Sequence, residues 1–188
     1  MTRFKKKNLN FGFVILSPEH NIGRVQQTVR SIKNRYSEDI SISCVVDEDT
    51  NSPELKELKE ICPTTRGKKT MTSLLNAGIR RGHKEWNILV IEGTTVRPKI
   101  DQKYFCWVED ELDILFPIVV DYNRDRIPVK IYNEFHEATL NGILIHQKTF
   151  KTVGDFTENP LSISKQFWAY EALDKGCRFK AILGAKML

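Results

Sequence analysis

The chain has 188 residues, four cysteines and a net charge of +5, enough for one domain whose core needs no disulfide or metal staple. Hydrophobic content of 40% and charged content of 28% are those of an ordinary globular domain. No run approaches the ~20 apolar residues of a membrane span, and basic residues mixed with acids, without an aromatic platform, speak against nucleic acid.

Phe11–Leu16 (FGFVIL) is a short continuous apolar run ended by Ser17-Pro18. It is too short for a signal peptide and fits a strand buried on both faces. Asn21 can cap a helix with Ile22, Val25, Val29 and Ile32 on one face. Ile40–Val46 predicts the second strand, ending in Asp47-Glu48-Asp49. Ser52-Pro53 opens a helix with Leu55, Leu58 and Ile61 facing inward. After Gly67, Lys68 and Lys69 comes a helix carrying Met71, Leu74, Leu75 and Ile79, stopped by Gly82. Trp86–Ile91 predicts the third strand, ending in Glu92-Gly93-Thr94.

In the second half, Phe116–Tyr122 and Ile127–Tyr132 read as strands joined by an Asn-Arg-Asp-Arg turn. Leu140–Ile145 reads as another. Lys148–Val153 is a short helix stopped by Gly154, Ser162 or Ser164 opens a helix to Lys175, and Arg178–Leu183 is the last strand. Glu109, Asp110, Glu111 and Asp113 read as a solvated acidic face, and Trp107 and Trp168 as packing residues. Cys44 and Cys177 read as core thiols. The absence of any CxxC pair argues against zinc, and thiols that sit reduced inside apolar runs fit a reducing, cytoplasmic setting. Strands alternating with helices imply a single α/β domain with a mixed, mainly parallel sheet.

Ligands of such sheets bind beyond the carboxyl ends of the strands. Three of those ends carry polar clusters: Pro18-Glu19-His20-Asn21, Asp47-Glu48-Asp49 and Glu92-Gly93-Thr94. One by one, such clusters are ordinary turn and cap residues. Together they predict a nucleotide-type pocket.

In this order the segments resemble the GT-A fold of family-2-like, nucleotide-diphospho-sugar glycosyltransferases. Pro18-Glu19-His20-Asn21 is similar to the family's Pro-Thr-Tyr-Asn, and Val46-Asp47-Glu48 to its Val-Asp-Asp. Leu75-Asn76-Ala77-Gly78-Ile79 is similar to Arg-Asn-x-Gly-Ile. Leu144 to Phe156 and Ala172 to Phe179 resemble its later strand–helix motifs. The resemblance implies a nucleotide-binding half over about residues 11–100 and an acceptor-side half over about 101–188.

It further implies a UDP- or GDP-sugar donor and a hydroxyl acceptor on a glycan or protein. Pro18, His20, Asp47, Glu48, Lys69 and Asn76 would bind the nucleotide. Glu92 and Thr94 would hold a divalent cation, Mn or Mg, at the place of the family's Asp-x-Asp. Thr94 departs from that pattern. So do Ser164-Lys165, which stand where the family has the Glu-Asp that supplies the base. Glu158 and Asp155 are the substitute candidates for catalysis. A GT-A-like module with reduced catalysis is the alternative. A nucleotidyltransferase comes third, since no glycine follows the first strand until Gly23.

Overall fold

The computed structural model describes residues 10–19, 21–36, 40–47, 53–82, 84–96, 100–122, 128–132, 134, 135, 137 and 139–182. His20, Glu48, Asp49, His83, His136, the basic N-terminal residues and the Asn-Arg-Asp-Arg turn lie outside them.

The first half runs β1 (Phe11–Leu16), α1 (Ile22–Lys33), β2 (Ser41–Asp47), α2 (Pro53–Ile61), β3 (Thr64–Gly67), α3 (Met71–Arg80) and β4 (Trp86–Ile91). The second half continues with α4 (Ile100–Phe105), β5 (Asp113–Pro117), β6 (Val119–Tyr122), β7 (Pro128–Tyr132), β8 (Leu144–His146), α5 (Gln147–Val153), α6 (Leu161–Asp174) and β9 (Arg178–Ile182).

Seven strands form one sheet in the order β3-β2-β1-β4-β8-β5-β9, while β6 and β7 form a separate antiparallel pair. The neighbours β3, β2, β1 and β4 are all parallel. The reversed strand β8 separates β4 from β5, and β9 lies parallel to β5. The expected mixed, mainly parallel sheet is therefore present. Phe116–Tyr122, expected as one strand, is divided between β5 in this sheet and β6, which pairs with β7 outside it.

Period-two alternation explains the layering. Phe13 and Ile15 of β1 face a core shared with α1, α2 and α4, while Val14 and Leu16 face one shared with α3, α5 and α6. Cys44 and Cys177 are buried thiols, one in each core. Among the described residues no helix is long and apolar enough to cross a membrane.

The strand β3 was not evident in the sequence. Thr64-Thr65-Arg66-Gly67 forms the sheet edge, needs little burial, and so shows no apolar run. The acidic run differs in a more telling way. Asp113 is fully buried, and Trp107, expected to pack, is 56% exposed.

Gly78 lets α3 lie directly on the sheet. A Cβ there would meet Val14 Cγ1 at 2.7 Å, Leu16 Cδ2 at 3.1 Å and Val45 Cγ2 at 3.2 Å. Two of these belong to β-branched side chains with little rotamer freedom. Gly78→Ala is expected to lower the unfolding free energy by about 1–3 kcal/mol, read from urea midpoints. An unchanged midpoint would mean that α3 can lift off β1 without cost.

Candidate functional site at the strand ends

The crossover from β1 moves to β2 on one side, and β4 lies on the other side of β1. The gap beyond β1 and β4 is thus a topological switch point, the usual ligand crevice of an open sheet. Leu16 pairs with Val45 and with Ile91, and Asp47 pairs with Gly67. Ser17, Asp47, Gly67 and Glu92 therefore leave the sheet along one edge. The loops after β1 and β4 and the start of α3 share it.

Glu92 organises this edge from below. It is 3% exposed. Its Oε2 accepts from Ser17 Oγ at 2.5 Å and from the Asn21 N–H at 3.2 Å, and its Oε1 accepts from the Glu19 N–H at 2.8 Å. A carboxylate only accepts, so it suits three donors that the turn would otherwise leave unpaired. Asn21 then caps α1 through its side chain, which accepts from the Arg24 N–H. Gly93 has φ +80°, and a Cβ there would sit 2.6 Å from Arg24 Nε. The Gly93 N–H donates to the Arg24 carbonyl. Thr94, also buried, donates its hydroxyl to Asn141 Oδ1 at 3.0 Å, and that oxygen accepts from the Ile91 N–H at 2.6 Å.

Glu92 and Thr94 are therefore engaged by the chain's own groups. As they stand they orient two loops and do not fit a cation seat. Among the described residues no group of three or more His, Cys, Asp or Glu side chains is gathered for a metal.

The segment between α5 and α6 runs antiparallel along α3 and fixes the remaining candidates. Arg80, at the end of α3, holds Asp155 in a two-pronged ion pair. Asn76 clamps the backbone of Phe156 from both sides, donating to its carbonyl at 2.8 Å and accepting from its N–H at 2.9 Å. Thr72 donates to the Asn159 carbonyl at 3.3 Å. At the sheet edge, Lys68 Nζ lies 3.9 Å from Glu158. The eight-residue rise from Thr72 to Arg80 is about 12 Å.

That rise separates the two carboxylates expected to act in catalysis. Glu158 reaches the strand-end edge beside Lys68, whereas Asp155 is tied down at the far end of α3. Asn76 is likewise committed to Phe156 rather than directed at the edge. Lys69 is exposed just before the Thr70 cap of α3, Pro18 is half-buried and Asp47 is buried at the end of β2.

Ser164 and Lys165 depart from the expected start of α6. The helix opens at Leu161 after Pro160, without a side-chain cap. Both residues lie inside it and are buried, and Ser164 Oγ donates to the Thr157 carbonyl at 2.8 Å. Lys165 Nζ approaches the Phe135 carbonyl at 3.5 Å. Burial pushes the Lys165 amine down from 10.5 to about 8.

That depression corresponds to about 3 kcal/mol of destabilisation while the amine is charged in both states. The penalty is complete below pH 8 and is relieved as pH rises from about 8 towards 10.5, because there the unfolded chain binds the extra proton. Lys165→Met is expected to add about 1–3 kcal/mol at neutral pH and to flatten the rise in stability above it. Urea melts at a series of pH values test this. Parallel profiles for the two proteins would show that the amine titrates normally.

The roles of three of these residues escaped the sequence reading. Ser17 is a strand-end hydroxyl with an ordinary turn role, and Asn141 lies about fifty residues from its partners. Lys165 carries no local mark of burial.

Two hollows open among the described residues. One, of about 500 Å³, follows α1 past Gly23, Gln27, Arg30 and Thr95. The other, of about 300 Å³, lies between α6 and the strands β5 and β9. Neither is lined by Pro18, Asp47, Lys69 or Glu92. No protein-family model and no curated protein matches this chain.

Proposed function

We propose that the strand-end edge binds a nucleotide-diphosphate sugar and that the chain is a glycosyltransferase of the GT-A type, moving a sugar to a hydroxyl acceptor. One observation carries this reading. Asp47, the loop after β1, Lys68 and Glu158 lie along the same edge of a mainly parallel sheet, the edge that also holds its switch point between β1 and β4. Asp47 would accept from a base or ribose, and Lys68 and Lys69 would face the diphosphate. Glu158 would take the proton of the acceptor hydroxyl. A divalent cation, Mn or Mg, belongs to this reading as a neutraliser of the leaving diphosphate. Glu92 and Thr94, engaged by Ser17, Glu19, Asn21 and Asn141, do not form its seat.

Calorimetry with UDP and GDP, with and without Mn²⁺, tests the binding half. Absence of heat with both would end the reading. Among variants, Glu158→Gln is expected to lower transfer or hydrolysis of a nucleotide sugar by about 10²-fold or more, whereas Asp155→Asn leaves it within a few-fold. The reverse ranking would move the base to Asp155.

A second reading has its own support. The engagement of Glu92 and Thr94 and the burial of Ser164 and Lys165 favour a nucleotide-sugar-binding module with reduced catalysis. Nucleotide binding without turnover in any metal is its expected result.

A further inference from the structure

Helix α6 is apolar on two sides. Trp168 and Ala172 enter the core beneath it. On the outside, Ile163 is 44% exposed, Phe167 57%, Tyr170 59% and Leu173 53%. At offsets of four, seven and ten residues these form one helical stripe. Large apolar groups gathered contiguously on one exposed helix, unlike single scattered ones, mark an interaction surface.

We infer that this face of α6 packs antiparallel against α6 of a second copy across a two-fold axis. The stripe is nearly palindromic. With the axis between Phe167 and Tyr170, Phe167 meets Tyr170 of the second copy, and Ile163 falls opposite Leu173 and Asp174. The groove of about 300 Å³ beside the stripe, walled by Phe116, Phe135, Phe179, Tyr170 and Leu173, lies where Phe167 of the second copy arrives.

Area agrees with this occupant. The exposed fractions amount to roughly 400 Å² of apolar surface, at the usual size of such side chains. In interfaces about 57% apolar, that is the apolar part of roughly 700 Å² per partner. A standard specific interface buries about 800 Å² on each side.

Charge selects the antiparallel pairing. The first turn of α6 has no acidic residue, and Pro160 gives it no side-chain cap. Its last turn has no basic residue and ends in Asp174, beyond the exposed Glu171. Lys175 turns away and donates to the Val153 carbonyl at 3.0 Å. The N-terminal end therefore leaves the helix dipole uncompensated, the acidic C-terminal end opposes it, and the antiparallel partner brings the two together. Asp174 of one copy lies beside the uncapped N–H groups at Ser162 and Ile163 of the other.

Sedimentation equilibrium from low micromolar to several hundred micromolar protein tests the inference, with circular dichroism as a check on folding. A concentration-dependent dimer is expected. Phe167→Asp should weaken it at least tenfold, and Asp174→Lys, a surface change that leaves the core intact, about fivefold. A monomer throughout, or a dimer indifferent to both variants, would overturn it. So would a monomer that floats with neutral phosphatidylcholine vesicles, since the stripe would then be a lipid-facing surface.

Discussion

Replacing Glu92 by alanine should cost about 3 kcal/mol of stability and loosen the loop after β1. The side chain is buried, and its two oxygens receive the Ser17 hydroxyl and the Glu19 and Asn21 N–H groups. Removing the acceptor leaves those donors unpaired, at about 1–3 kcal/mol for each one that water does not reach. Glu92→Gln is the sharper test. Its shape is retained, but its amide turns a donor toward other donors, so a loss of about 1–2 kcal/mol remains. On the proposed nucleotide-binding reading, urea unfolding and nucleoside diphosphate calorimetry should then move together, because the same loop carries Pro18 and the α1 cap. An unchanged midpoint combined with lost Mn²⁺ affinity would assign the carboxylate to a metal instead.

Asp113→Ala is expected to be the most destabilising of these changes, by about 3–5 kcal/mol. Oδ1 accepts from Arg178 Nε at 2.8 Å, and Oδ2 from the Glu109 and Asp110 N–H groups at 2.7 and 3.0 Å and from Lys180 Nζ at 3.0 Å. This one side chain joins the start of β5 to β9 and to the turn after α4. Burial alone would push its carboxyl up. The backbone N–H groups of Glu109 and Asp110 and the Lys180 ammonium outweigh burial and hold it below its ordinary value of 3.8. With the folded value depressed, the contribution is complete above that ordinary value and disappears as pH falls through the folded one. Acid titration of Asp113→Asn should therefore lose part of the wild-type decline below pH 4. Coincident acid profiles would refute the assignment.

Local rules made much of the first half legible. Continuous apolar runs marked β1 and β4 to the residue. Asn21 and the spacing of Ile22, Val25, Val29 and Ile32 marked α1. These elements are buried by their own patterns, so burial is written in the sequence. The polar strand ends and their common edge were also legible, because parallel connectivity alone puts them there.

What each polar residue does at that edge was decided by partners far along the chain. Glu92 reads as a ligand until Ser17, Glu19 and Asn21 arrive from more than seventy residues away. Asp155 and Glu158 are near neighbours in sequence. Only their antiparallel course along α3 sends one to Arg80 and the other to Lys68. Asp113 looks like the end of a solvated acidic run until Arg178 and Lys180 reach it from β9. The sequence by itself determined the α/β class and the shared edge of the polar strand ends, because hydrophobic period and chain order suffice for both. Only the tertiary structure decided which carboxylates there hold the fold and which reach the edge, because a side chain's hydrogen-bond partners depend on contacts that no local pattern encodes.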